Sequence, residues 1–90
     1  MNSAQIRKFR AGAHNLNPVV MIGQAGLTQA VLAELEIALD VHELIKVKVR
    51  AEKPERLEIS EKMCAETGAQ LIQSIGQVVV LYRKNPNKVS

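Results

Sequence analysis

Apolar positions along this chain of 90 residues fall into blocks whose spacing switches between the helical and the strand period. Ile6, Phe9, Ala13 and Leu16 recur at i, i+3, i+7 and i+10, one stripe of a helix over about residues 3–15. Ser3 is placed to cap it, and Pro18 restricts Asn17 and stops it. Arg7, Arg10 and His14 form a second stripe beside the apolar one, with Lys8 further round. Residues 19–22 are wholly apolar, which predicts a short buried strand. Thr28 can cap a second helix to about His42 that buries Val31, Leu32, Leu35, Ala38 and Leu39. Glu34, Glu36 and Asp40 lie away from that stripe and read as a solvated face. Residues 44–50 alternate with period two and are rich in β-branched residues, the pattern of a strand. Pro54 suits the first turn of a third helix with Leu57, Met63 and Cys64 inward, Glu52–Arg56 and Glu58–Lys62 as possible i, i+4 pairs, and Gly68 as its left-handed stop. Residues 69–75 and 77–83 read as two strands joined by a tight hairpin at Gly76. The expected order is α-β-α-β-α-β-β, one compact α/β unit over residues 1–84, followed by a frayed basic tail over residues 85–90.

Length limits this to one domain with one modest core. No apolar run approaches the ~20 residues of a membrane span, so no membrane partner is expected. Arg7, Lys8 and Arg10 are not followed by an apolar stretch of signal-peptide type, and one cysteine, Cys64, permits no internal disulfide. These features lead to the expectation of a cytoplasmic protein. The net charge of +3 is small, but its layout changes the picture. All nine acidic residues lie between Glu34 and Glu66, so the first 33 residues and the last 24 carry cations and no acids. A polarised surface with one face suited to polyanions follows.

Two segments carry candidate chemistry. Gly23-Gln24-Ala25-Gly26 joins a strand to a helix start, where small residues leave backbone N–H groups accessible at the positive end of the helix dipole. The plainer reading is a tight connection. In the third block, Lys46, Lys48 and Arg50 share one face of the strand, and Ile45, Val47 and Val49 share the other. The plainer reading of those cations is a strand kept from aggregating. Arg7, Lys8 and Arg10 on the first helix, and Arg83, Lys84 and Lys88 near the carboxyl end, add to the polyanion reading. Phe9 and Tyr82 are the only aromatic residues, too few for a sheet that stacks a run of bases. Phe9 reads as core, and Tyr82 either stacks a base or anchors its strand. Recognition is therefore expected through phosphates and shape, with little base reading. His14, His42 and Cys64 lack metal-ligand spacing, no serine sits in a nucleophile elbow, and the glycine turn lacks the lysine and hydroxyl of a P-loop. No enzymatic role, metal, cofactor or small-molecule substrate is expected.

Taken together, Asn17-Pro18-Val19-Val20, Ile22-Gly23 with Gly26-Leu27-Thr28, and His42-Glu43-Leu44-Ile45-Lys46-Val47-Lys48 resemble the YhbY family of stand-alone bacterial CRM domains (chloroplast RNA splicing and ribosome maturation). Glu66-Thr67-Gly68-Ala69, Ile75-Gly76 and Leu81-Tyr82-Arg83 continue the match in order over nearly the whole chain. The resemblance implies a two-layer α/β sandwich with a four-stranded mixed sheet of order 1-2-4-3, similar to the C-terminal domain of bacterial translation initiation factor three. It also implies RNA binding through the glycine loop and the adjacent basic surface, and an association with precursors of the large ribosomal subunit as an assembly factor. The RNA-binding set expected here is Gly23, Gln24, Ala25, Gly26 and Thr28, with Arg7, Lys8, Arg10, Lys46, Lys48, Arg50 and Arg83. Many relatives carry a charge-capable residue inside the loop, where this chain has Gln24-Ala25. Its loop thus offers backbone donors and one amide. The alternative is a protein-interaction adaptor without direct RNA contact.

Overall fold

The computed structural model describes residues 1–86 of the chain. The first helix, α1 (Ser3–Ala13), is capped one residue earlier than expected: Asn2, not Ser3, is the N-cap. Its side chain accepts from the Gln5 N–H at 2.9 Å, and the Gln5 side chain accepts from the Asn2 N–H at 3.1 Å. This reciprocal box satisfies two donors that a bare helix start leaves open. β1 (Pro18–Ile22) follows, then α2 (Gln29–His42), capped by Thr28 as expected, with the Thr28 hydroxyl oxygen accepting from Val31 N–H at 3.2 Å. One residue, Glu43, joins α2 to β2 (Leu44–Val49). It takes φ +62, a conformation costly for a residue with a Cβ. Its N–H donates to Leu39 O, its carbonyl accepts from Arg83 N–H, and its carboxylate accepts from Asn85 N–H at 2.8 Å. These bonds hold the strained junction in place.

α3 (Lys53–Thr67) ends at Gly68 with φ +74, where only glycine is unstrained, and β3 (Gln70–Ile75) and β4 (Val78–Tyr82) close the chain as a hairpin. The sheet order is β1-β2-β4-β3, with β1 parallel to β2 and the other pairs antiparallel. This is the four-stranded mixed sheet that the resemblance implies.

Strand alternation then sorts the side chains. Ile45, Val47 and Val49 of β2 and Val79 and Leu81 of β4 are buried against Leu35 and Leu39 of α2 and Met63 of α3. That sheet and helix pair form the two-layer body. α1 lies on the other face, where Ala13, Phe9 and Ile6 pack with Ile72, Val80, Leu44 and Tyr82. Leu44, Lys46 and Lys48 pair across the sheet with Tyr82, Val80 and Val78, so the cations of β2 share this second face with α1.

Three local expectations change. β1 is an edge strand and only alternate residues are buried, with Val19 50% and Met21 52% exposed. Val19 also sits at a register shift against β2. Leu57 is exposed on α3. Arg56 donates to Ala51 O at 3.0 Å and makes no ion pair with Glu52. Of the expected tail, the Asn85 side-chain amide donates to Asp40 O at 2.9 Å, and residues 87–90, with Lys88, lie outside the described residues.

Candidate nucleic-acid interface

β1 and β2 run side by side, so their C-terminal ends finish together at one edge of the molecule. Arg50 N–H donates to Ile22 O at 3.0 Å, which ties the end of the cationic strand to the residue before the glycine loop. Within the loop, Gly26 N–H donates to Gly23 O and Thr28 N–H to Gly26 O, both at 3.1 Å. Gly26 takes φ +75, which a side chain would strain although a Cβ would meet nothing within 4 Å. The loop is thus self-closed, and the Gly26 N–H is not a free donor. The N–H groups of Gln24, Ala25, Leu27, Gln29 and Ala30 have no hydrogen-bond partner among the described residues. Thr28 is occupied as the cap and fixes where these donors lie. Exposed N–H groups before and inside the first turn of a helix are suited to an anion.

The cations divide into groups. Lys46 points toward the C-terminal end of α1, where its ammonium donates to His14 O at 3.3 Å. A cation at that end meets the negative pole of the helix. Arg10 approaches the same region from α1, with its Nε 3.5 Å from Ile72 O. Arg10, His14 and Lys46 line one cleft of ≈ 470 Å³. Lys48 and Arg50 line a shallower depression beside it, together with Glu52 and Glu55. Arg7 lies one turn before Arg10, Lys8 is further round the helix, and both are exposed.

Arg83 differs from the rest of the expected set. Its side chain is only 19% exposed, and its guanidinium donates to Glu36 Oε2 at 2.9 Å, Asp40 Oδ1 at 2.8 Å and Thr67 O at 2.8 Å. It clamps the end of β4 to α2 and to the end of α3, so its charge is engaged within the fold. The same contacts correct the reading of Glu36 and Asp40, which are its partners rather than a purely solvated face. Sequence offered no signal for this clamp, since its acids lie 47 and 43 positions away.

Tyr82 is also committed. Its ring stacks on Phe9 with centroids 4.1 Å apart and planes inclined by 26°. One face of the tyrosine is therefore covered, as in the strand-anchor reading. Cys64 is half-buried against the main core, and that burial pushes its thiol pKa up, away from nucleophilic use. Among the described residues no group of histidine, cysteine, aspartate and glutamate is arranged to hold a metal, and no helix is long and apolar enough to cross a membrane.

The chain is similar to known proteins in sequence and in fold. The chain is 45% identical over 87 residues to a "Probable RNA-binding protein" of Pseudomonas aeruginosa, covering 96% of this chain and 84% of the relative. It is 51% identical over 83 residues to an "RNA-binding protein" of Haemophilus influenzae, covering 90% of this chain and 84% of that protein. The solution structure of a Staphylococcus aureus protein described as an RNA-binding candidate superposes with a TM-score of 0.85 at 32% identity, covering 98% of this chain and 94% of the other. The profile of the CRS1 / YhbY (CRM) domain matches residues 1–83, and the chain belongs to that family.

Proposed function

We propose that the protein binds RNA through the edge of the sheet where the 23–26 loop meets the end of β2, and through the cationic face that runs from there toward α1. The observation that carries this reading is a juxtaposition. Five backbone N–H groups without a partner among the described residues lie at the loop and helix start that follow Ile22, Arg50 is bonded to Ile22 O, and Arg50 follows Lys46 and Lys48 along the chain. Backbone donors and cations in one place suit a chain of phosphates, whereas a neutral or basic partner would leave them unpaired. The names of the relatives agree with it.

The target proposed is ribosomal RNA in precursors of the large subunit, with the protein acting in the cytoplasm as an assembly factor. This finer step rests on the likeness to stand-alone bacterial CRM domains. No small-molecule substrate or cofactor enters the proposal. The test is crosslinking in cells followed by sequencing of the bound RNA, with large-subunit ribosomal RNA expected as the dominant species. An even spread over transcripts would replace the assembly role with general RNA chaperoning.

One observation favours the adaptor reading as a second function. Ile37 and Val41 are exposed on α2 and share a shallow groove with Val19 of β1. Binding to RNA should weaken steeply with salt, and binding of a protein to that groove should not.

A further inference from the structure

α1 is too short to cover the sheet face it packs on. Three rows of paired residues cross that face. Leu44, Tyr82 and Gln70 form the first row, and Phe9 of α1 covers it. Lys46, Val80 and Gln73 form the second, under the last turn of the helix. Lys48, Val78 and Ile75 form the third, which lies beyond the end of α1. There the apolar floor is open, and Ile75 is 64% exposed. The cleft at this step has a floor of Val78, Val80 and Ile75, an amide from Gln73, and Arg10 and Lys46 at its rim. No carboxylate is among its lining residues.

We infer that this cleft is a base-accepting subsite, which takes one unpaired nucleotide of a bound RNA with its base on the valine and isoleucine floor and its phosphate between Arg10 and Lys46. The inference rests on the RNA-binding reading above and adds to it a place where a base is held. An apolar floor with a cationic rim and no acid matches a ligand that is flat and apolar at one end and anionic at the other. Lys46 uses one of its three donors on His14 O and keeps two, and Arg10 keeps the terminal nitrogens of its guanidinium. Gln73, half-buried beside the floor, can bond a base edge. A base inside a duplex has both faces stacked and none to give to such a floor, so the ligand must be unpaired. Lys46 and Arg50 are separated by roughly 13 Å along the strand at about 3.3 Å per residue, which is about two backbone phosphates. A strand whose phosphate sits at the 23–26 loop would therefore reach the cleft about two nucleotides later.

The test uses the wild-type chain and two RNAs matched in phosphate number, a stem with one bulged nucleotide and the same stem fully paired and carrying one added terminal phosphate. The bulged RNA is expected to bind about 5- to 20-fold more tightly, in the lower part of the range for aromatic stacking because the floor is aliphatic. Ile75→Ser and Gln73→Ala together should reduce that ratio to about 1–2 while leaving the affinity and salt slope of the paired stem unchanged. Ile75 is exposed and the amide is at the surface edge, so the fold should persist. Independently of any variant, the methyl resonances of Ile75 and Val78 should shift with the bulged RNA and not with the paired one. Equal wild-type affinities, or unmoved methyls, would overturn the subsite and leave the RNA reading standing on its salt dependence. Absence of salt-sensitive binding to either RNA would overturn both. Free adenosine and uridine monophosphates form the last arm: they should move the same methyls weakly and be displaced by the bulged RNA. Mononucleotide binding that the RNA fails to displace would show that the cleft serves a free nucleotide instead.

Discussion

On the α2/α3 face of the sheet every inward side chain of β2 is sealed, with Ile45, Val47 and Val49 essentially inaccessible, whereas on the α1 face Lys46 and Lys48 stand half-exposed beside an uncovered floor. The helices behind the first face carry all nine acids of the chain or lie next to them, and the cations of α1 and β2 gather on the second. The same strand therefore serves both purposes through its two-residue period. One face supplies stability by exclusion of water, and the other keeps charge accessible. Arg83 shows that charge alone does not define the second region, since its guanidinium is spent on Glu36, Asp40 and Thr67.

The sharpest way to break this comparison is to truncate one residue on each face. Leu39→Ala, in the sealed core, should cost about 2–5 kcal/mol in urea unfolding. Ile75→Ala, on the open face, should cost about 0.5 kcal/mol or less in the same assay. Equal losses would mean that the α1 face is as tightly packed as the other. Next comes Arg83→Gln, which removes both ion pairs and leaves two carboxylates and two carbonyls, Thr67 O and Glu36 O, without their guanidinium donor. We expect a loss of about 1–3 kcal/mol, with RNA affinity of the folded fraction unchanged. A variant of normal stability but poor RNA affinity would make Arg83 an RNA contact as well as a clamp.

Lys46→Gln with Lys48→Gln should behave in the opposite way. Stability should change by less than about 1 kcal/mol, since among the described residues the side-chain hydrogen bond lost is that from Lys46 to His14 O. RNA affinity should fall, and the slope of log K against log salt should drop by about 1–2. An unchanged salt slope would reduce the strip to an anti-aggregation device. Gly26→Val should cost about 1–2 kcal/mol, because it forces a β-branched residue to φ +75 without a steric clash. The fold should survive while RNA affinity falls, which calorimetry and a binding titration on one sample would separate. The smallest effect concerns Cys64. Burial raises its thiol pKa above the ordinary value of 9.0, so at neutral pH both the folded and the unfolded chain hold the proton. Above that value the unfolded chain loses its proton first, and stability should decline until the folded thiol titrates too. Alkylation of the native protein should accordingly be slower than that of the urea-unfolded chain.

Much of this architecture could be read along the chain because its signals are local. Thr28 and Gly68 mark helix ends through their own chemistry, and the alternation in residues 44–50 separates a core face from a cationic one without reference to partners. β1 misled because an edge strand with apolar residues at its exposed positions has the same composition as a buried one. The side of the sheet taken by α1 was not legible either. A single apolar stripe suits any apolar floor, and only the pairing of Leu44, Tyr82 and Val80 on one face provides that floor. For the candidate site, the 23–26 loop and the β2 cations were visible as motifs. The cleft was not, since Arg10, Lys46, Gln73 and Val78 come together only through the β1-β2-β4-β3 order.

Glu43 has a consequence for how this domain can change length. It is the whole connection between α2 and β2, and it is already held at φ +62 by its bonds with Leu39, Arg83 and Asn85. A residue gained or lost here has no slack in which to disappear, so it would have to be absorbed by shifting β2 against β1 and β4. A shift of one position turns every side chain to the other face. Lys46 and Lys48 would enter the core, and Ile45 and Val47 would face the solvent. Length variation is therefore tolerable at the hairpin tip or the termini, but at this junction a single inserted codon would turn the domain inside out.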